Sequence, residues 1–244
     1  QMHGSARRDE QPVADYIGAL CARRVPDLVV TTGGPAARFF ATHRDRFGPS
    51  TPVVHGGADA RWLGGVGLSP RETAILSRVD IPEQMENIFR ARPRTREVVV
   101  VMGASPAEKF WAERFRAGWQ PYASRVRLTW LDRLPFEEVV RRCQKLPPDS
   151  AIFFGLMLTD AAGIPHEQQA ALESLRRVAS APIFGWSAIA LGRGIVGGRL
   201  LPMEEMAEEI AAVGVKLLHG APPSSIPVKT VGLGGPVYDA RELE

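Results

Sequence analysis

The chain reads as an α/β protein built from two doubly wound parallel-sheet lobes, and three observations predict this. Strand-like apolar runs alternate with helix-like segments along the sequence. The strand runs are continuously apolar rather than alternating, the pattern of parallel strands covered on both faces. A length of 244 residues suits one large domain or two lobes of roughly 100–130 residues each, and two stretches that look like seams between units point to the second.

The opening QMHGS, residues 1–5, reads as the remnant of an expression tag. The helix ADYIGALCARR follows with no strand ahead of it, so the expectation is a native chain that extends N-terminally and a first lobe that is N-terminally truncated here. Then come the strand DLVVTTGG, the helix PAARFFATHRDRF and the strand PVVHGG. A first seam falls at RARPRTR, Arg90 to Arg96. Beyond it lie strands near 97–102, 125–131, 151–157 and 182–186, interleaved with the helices PAEKFWAERFRAGW and PFEEVVRRCQKL. A second seam falls at AIALGRG, Ala188 to Gly194. The strand IVGGRLL, the strong helix MEEMAEEIAAVGVKLLHG and a tail strand SSIPVKTV complete the order.

Composition is that of an ordinary folded domain: 45% hydrophobic, 23% charged, net charge +3. The arginines sit among acids, as in RARPRTRE, a pattern of solvated helix ends and loops. With no helix-turn-helix, zinc-knuckle or aromatic RNA-binding signature, nucleic acid is not an expected partner. No apolar run approaches the roughly 18–20 residues that span a bilayer, which leaves a leader or anchor elsewhere in the gene open. Cys21 and Cys143, the two cysteines, fall on apolar helix faces; free buried thiols are favoured, and a disulfide between them stays open.

No metal or catalytic constellation emerges, and no cofactor is expected. His43, His55, His166 and His219 show no paired spacing, and there is no C-x-x-C, G-x-S-x-G or Walker A pattern. Glu137–Glu138 and Glu204–Glu205 are acids at helix starts, where the macrodipole favours them.

Open parallel sheets bind ligands beyond the carboxyl ends of their strands, and five loops occupy that position. In TTGGP, Thr32, Gly33, Gly34 and Pro35 open a helix whose first-turn N–H groups suit a polar or anionic group, with Pro35 suited to the first helical position. In HGG, His55 and Gly56 read as ligand contacts or as a histidine bonded to backbone. In GASPAEK, Ser105 followed by Glu108 is a capping box, which explains the serine structurally, yet Ala104 and Ser105 also sit at a strand exit. Leu158, Thr159 and Asp160 leave the next strand as turn formers or polar hooks. Trp186 and Ser187 follow PIFG as core aromatic and turn, or as an aromatic wall beside a polar hook.

In order and spacing, the blocks PDLVVTTGGPAARFFATHRDRF, TPVVHGG, VVVVMGASPAEKFWAERF, LPPDSAIFFGLMLTDAAG, APIFGWSAIALGRGIVGGRLLP and KLLHGAPPSSIPV resemble the extracytoplasmic sensor domain of bacterial sensor histidine kinases. That group is related to the substrate-binding proteins of ABC transporters, and the resemblance runs from about Pro12 to Asp239. It implies a type I periplasmic-binding-protein fold with a small ligand held in a cleft between lobes. Lobe 1 would take residues 6–93 and 194–220, lobe 2 residues 94–190 and 223–244, with hinges near 92–96, 188–194 and 220–223. It implies the loops Thr32–Pro35, His55–Gly57, Gly103–Ser105, Leu158–Asp160 and Trp186–Ala188 as the cleft, with His55, Gly56, Ala104, Ser105, Trp186 and Ser187 among the contacts. Related sequences often carry a polar or acidic residue where this chain has Ala188 and Ile189, which argues against a cationic or strongly polar ligand.

The expected function is therefore ligand sensing: a small molecule, by expectation a carboxylate on an apolar or aromatic body, favours a closed state that signals to a membrane-anchored kinase. The domain would be periplasmic, with a second copy of the chain as a further expected partner. A solute-binding protein of an ABC transporter is the alternative, and a nucleotide-dependent α/β enzyme a third reading. That third reading rests on GRGIVGG, whose Gly192, Gly194 and Gly197 mimic a dinucleotide fingerprint. Here the triplet leads into a strand instead of a helix, so Gly192 and Gly194 read as a hinge between lobes.

Overall fold

A computed structural model describes residues 3–48, 50–63 and 67–243, so the first two residues of QMHGS lie outside the described residues. The chain divides into two compact units, one formed by residues up to Arg78 with Met203–Gly232, the other by Val79–Pro202 with the segment from Leu233 on.

The first unit opens with helix α1 (His3–Arg23) and continues through β1 (Val29–Thr32), α2 (Gly33–Thr42), β2 (Val53–Asp59), α3 (Ala60–Leu63) and β3 (Glu72–Ser77). Helix α8 (Met203–Leu218) and strand β9 (Lys229–Val231) rejoin it later. Its sheet has the order β1-β2-β3-β9, every pair parallel. The period-2 alternation of β2 assigns the two faces. Val53 packs with Phe40 and Phe47 on the α2 side, against Ile17 and Cys21 of α1. Val54 and Ile75 pack on the opposite side against Met206, Val213 and Leu217 of α8.

The second unit runs through α4 (Ile81–Ala91), β4 (Glu97–Val101), α5 (Pro106–Trp119), β5 (Arg127–Trp130), α6 (Phe136–Cys143), β6 (Ser150–Phe154), α7 (Gln168–Arg176) and β7 (Ile183–Phe184). Its parallel sheet has the order β5-β4-β6-β7. Val99, Val101, Ile152 and Phe154 face α6 and α7 through Val139, Cys143, Leu172 and Leu175. On the other face Phe153 meets Phe115 and Trp119 of α5 at centroid separations of 5.0 and 4.8 Å. Both sheets are thus covered on both faces, which is why their strands carry unbroken apolar runs.

Lobe membership differs from the expectation at three places, each for a packing reason. Helix α4 belongs to the second unit: the Trp119 indole N–H donates to the Ile81 carbonyl at 2.7 Å, and Tyr122 donates to Glu86 at 2.9 Å. The first division therefore follows Arg78 instead of falling near Arg92–Arg96. Strand β8 (Gly197–Arg199) pairs antiparallel with β10 (Pro236–Tyr238), so the stretch expected to return to lobe 1 from residue 194 stays in the second unit up to Pro202. Strand β9 pairs with β3, so the segment expected to leave at 220–223 remains in the first unit through Gly232.

Candidate functional site

In the first unit the carboxyl end of β1 is an exposed Thr32 leading directly into α2, which starts at Gly33 with φ of 79°. Pro35 is consequently the third helical residue, not the first; its missing N–H is still among the first-turn groups that have no intrahelical partner. The Thr32 hydroxyl makes no capping bond, so it and the first turn of α2 remain available to a polar group. Gly34 is buried, and Pro35 is exposed beside Thr32.

His55 lies elsewhere. Its side chain is 1% exposed and turns into the α2 face, with its ring 5.5 Å from that of Phe40. Both ring nitrogens are occupied: Nδ1 is 2.8 Å from the Thr31 hydroxyl and Nε2 is 3.4 Å from Glu72 Oε2. Glu72 is itself clamped, accepting from Arg44 Nε and Nη2 at 2.5 and 2.9 Å and from Ser69 at 2.7 Å. Burial lowers the His55 pKa, and the nearby Arg44 charge adds to that, together outweighing the attraction of Glu72. Burial also opposes ionisation of Glu72, but its hydrogen bonds from Arg44 and Ser69 and the Arg44 charge win, leaving its pKa below the ordinary value. The neutral histidine with Nε2–H toward the carboxylate and Nδ1 accepting from Thr31 fits these directions. A buried network of this kind ties β1, β2 and β3 together, and His55, expected at the ligand, serves the core.

Gly56 is also explained by packing: a Cβ there would stand 2.5 Å from Ile210 Cδ1 of α8. The exit of β2 carries Gly57, the last residue of the expected HGG loop, and beyond it an ion pair the sequence reading missed. Gly57 at φ of 66° sits where the β2–β3 register shifts, and its carbonyl accepts from Ser77 at 3.1 Å. The buried Asp59 accepts from the Arg61 backbone at 3.0 Å and from its guanidinium at 2.7 and 2.6 Å. This fixes a cation at the strand's carboxyl end, in the short D-x-R spacing after HGG.

In the second unit, Glu108 organises the strand exits. It is 0% exposed; Oε2 accepts from the Ser105 backbone at 2.8 Å, closing the expected capping box, and Oε1 accepts from the Leu158 backbone at 2.5 Å. The Ala104 backbone donates to the Thr159 carbonyl at 2.7 Å, and Gln168 holds the Met157 amide and the Gly155 carbonyl. The structure therefore brings Ala104, Ser105, Leu158 and Thr159 together, but the Ala104 N–H is taken by the Thr159 carbonyl and those of Ser105 and Leu158 by Glu108. What remains toward solvent is the half-buried side chains of Ser105 and Thr159 and the exposed Leu158. Gly103 must be glycine here, because a Cβ would stand 2.1 Å from Glu108 Oε1.

Asp160, expected as a hook or a turn former, forms the turn. It is buried and accepts from the backbones of Phe136, Ala162 and Ile164 and from His166 Nε2, at 3.0, 2.9, 3.0 and 3.2 Å. Burial alone would raise its pKa; these bonds outweigh it and lower it. Trp186 is 8% exposed and wedged edge-on to Trp111, with centroids 4.8 Å apart, and beside Phe115 at 5.4 Å. Ser187, half-buried, accepts from the Ile189 backbone at 3.4 Å.

The glycines of GRGIVGG all have positive φ, but they lie inside the second unit and do not join units. A Cβ at Gly194 would meet the Arg176 stem at 2.3–3.1 Å, at Gly197 the Val237 carbonyl at 2.2 Å, and at Gly198 the Asn87 side chain at 2.4–2.8 Å. Close packing therefore accounts for the pattern that imitates a nucleotide loop and for the residues expected to be a hinge, Gly194 above all; the neighbouring Gly192 needs its glycine for φ of 76°. Among the described residues no group of three or more His, Cys, Asp or Glu could hold a metal ion, and no helix is long and apolar enough to cross a membrane.

No protein-family model matches the chain, and no curated protein matches it by sequence. Solved structures do. The chain is similar to the ABC domain from Streptococcus pneumonia in complex with L-Trp, at 18% identity and TM-score 0.67, covering 96% of this chain and 79% of that one. It is similar to a substrate-binding protein with adhesive properties from Clostridium difficile, in its ligand-free, open structure, at 15% identity and TM-score 0.63, covering 95% and 77%. A LacI family transcriptional regulator from Bifidobacterium animalis subsp. lactis follows at 16% identity and TM-score 0.58, covering 94% and 81%. Together with the two four-stranded parallel sheets, these likenesses show a type I periplasmic-binding-protein-like fold.

Proposed function

We propose that the chain is a small-molecule-binding domain that uses loops at the carboxyl ends of its strands, and that it works as the extracytoplasmic sensor of a membrane-anchored histidine kinase. The observation that carries the binding reading is the exposed Thr32 leading without a side-chain cap into the first turn of α2, which leaves its hydroxyl to solvent or to a ligand. In the second unit, Ser105, Thr159 and Ser187 offer polar side chains at strand exits. Such groups orient a ligand without performing covalent chemistry on it.

The N-terminus of α2 favours an anionic group, and the exposed Leu158 favours an apolar body. The ligand class that follows is a carboxylate with an apolar or aromatic portion. Ligand binding would favour one arrangement of the units and pass that preference to the kinase, with a second copy of the domain as its partner. A transporter's solute-binding protein is the second reading, supported by the L-Trp-bound ABC domain and the substrate-binding protein among the similar structures. Fold similarity at this level serves many functions, so the site carries the argument.

A thermal-shift screen of amino acids including L-tryptophan, aromatic acids, short carboxylates and neutral sugars tests the binding reading. A ligand at a hundred times its Kd stabilises by about 2.7 kcal/mol, a clear rise in Tm. Stabilisation by a carboxylate is expected; silence of every carboxylate with a response to a neutral sugar overturns the ligand class. The gene beyond Glu244 decides the role, since a kinase domain supports the sensor and its absence supports the transporter component.

A further inference from the structure

The RARPRTR stretch finds no role at the carboxyl ends of the strands; it sits at the opposite, amino-terminal end of β4. Arg92, Pro93, Arg94 and Thr95 form a tight turn closed by the Thr95 backbone on the Arg92 carbonyl at 3.1 Å and by the Thr95 hydroxyl on the same carbonyl at 2.8 Å. Pro93 fixes the second position of that turn. Two adjoining surface cavities, of about 510 and 480 Å³, share Pro93, Arg94, Thr95 and Asp149 as lining; the first adds Arg92, the second Arg96 and Arg125.

Two of the arginines, Arg92 and Arg125, are positioned by groups that carry no charge. Arg92 donates to the Pro148 carbonyl at 3.3 Å. Arg125, from the turn ahead of β5, stacks its guanidinium over the Phe89 ring 3.5 Å from the centroid. Arg96 reaches Asp149 only at 3.7 Å, with a side chain 84% exposed. Four arginines thus line two adjoining depressions around a single carboxylate, Arg92 and Arg94 on the turn fixed by proline and two hydrogen bonds, Arg96 just after it and Arg125 ahead of β5.

We propose that these adjoining depressions form a second ligand site that binds a compound carrying two or more phosphate groups. Guanidinium forks match phosphate oxygens two at a time, and their preorganisation reduces the entropy lost on binding. The phosphates could belong to a soluble oligophosphate or to a phospholipid headgroup, and the two sources separate experimentally. The site stands apart from the carboxyl-end loops, so it does not depend on the carboxylate reading given above.

Isothermal titration with inorganic tripolyphosphate, and co-sedimentation with vesicles containing phosphatidylinositol bisphosphate against phosphatidylcholine vesicles, test it on the whole chain. Saturable 1:1 binding of tripolyphosphate identifies a soluble ligand, and binding to the phosphatidylinositol bisphosphate vesicles alone identifies a headgroup. In either case Arg94→Ala and Arg125→Ala each weaken binding about tenfold, as loss of a charged hydrogen bond does. Arg141→Ala, on an exposed arginine of α6 paired with Glu138, leaves it unchanged. Absence of binding in both arms overturns the proposal, as does binding that Arg94→Ala, Arg125→Ala and Arg141→Ala diminish equally. Binding to single-stranded DNA in preference to both phosphate probes also overturns it, replacing the small ligand with a nucleic acid.

Discussion

The Leu158 backbone N–H donates to Glu108 Oε1 at 2.5 Å, joining a helix start to a strand exit fifty positions along the chain. The same carboxylate caps α5 through the Ser105 amide at 2.8 Å, so one buried group fixes two of the candidate ligand loops at once. Replacing Glu108 by Gln keeps the volume and one acceptor but turns an NH2 donor toward an N–H donor. The expected loss is about 2–3 kcal/mol of unfolding free energy, measured by urea denaturation. A change below about 0.5 kcal/mol would show that water or a neighbouring group replaces the carboxylate.

Stability should fall on acidification in two steps. His55 has a folded pKa below its ordinary 6.5, so between those two values the unfolded chain binds more protons; the neutral form's contribution is complete above 6.5 and lost as pH falls toward the folded value. Glu72 has a folded pKa below its ordinary 4.5; its contribution is present above 4.5 and lost as pH falls through the folded value. His55→Gln should remove the step that begins near pH 6.5 and leave the acid step of Glu72. Unfolding free energies by urea denaturation between pH 2 and 8 read both steps, and an unchanged profile in His55→Gln would assign the first step elsewhere.

Strands β1, β2 and β4 to β9 and helices α1, α2, α5, α6 and α8 were legible because strand hydrophobicity and helical periodicity are local properties, and the Ser105 to Glu108 capping box is a local motif; β3, α4 and α7 went unread. Membership in the two units was less so. Assigning α4 to the second unit requires the Trp119 indole on the Ile81 carbonyl, a contact 38 positions apart, and placing β8 requires the antiparallel partner β10 from the chain's end. At the strand exits sequence reasoning named the loops, but could not tell a side chain turned to solvent from one turned inward. Thr32 and Thr159 face outward, whereas His55 and Asp160 are taken up by partners that only the folded chain supplies. The D-x-R spacing of Asp59 and Arg61 was readable as a local ion pair and went unread.

Gly194→Val tests the reassignment of the glycine segment. At φ of 118°, with the Arg176 stem within 2.3–3.1 Å of a new Cβ, valine costs both backbone strain and displacement of α7 side chains. Gly198→Ala, at φ of 133° against Asn87, should behave alike. Each is expected to destabilise by about 2–4 kcal/mol in thermal melts. A hinge role would instead leave the melting temperature intact and alter the ligand-induced change in small-angle scattering.

The two cysteines should differ in reactivity. Both are free; burial pushes the Cys143 thiol up to about 12, while Cys21 on α1 is only partly buried. At pH 8 a maleimide should modify Cys21 in minutes and Cys143 only after denaturation, because the thiolate is the reactive form. Mass spectrometry of the intact protein reads one adduct natively and two in urea. Two rapid native adducts would mean that the packing of Cys143 against the β4 and β6 face opens on the labelling timescale.

Thr32→Val and Thr159→Val separate ligand recognition from folding. The Thr32 hydroxyl caps nothing within the fold, and Thr159 contributes its carbonyl, not its side chain, to the bond with Ala104. Valine preserves shape and β-branching at both positions, so unfolding free energy should move by no more than about 0.5 kcal/mol. The ligand-induced rise in Tm should shrink in each variant, since a lost hydrogen bond to a charged ligand is worth about 1.5–3 kcal/mol. If both variants respond to ligand as the unaltered chain does, the carboxyl-end loops are not where the ligand sits.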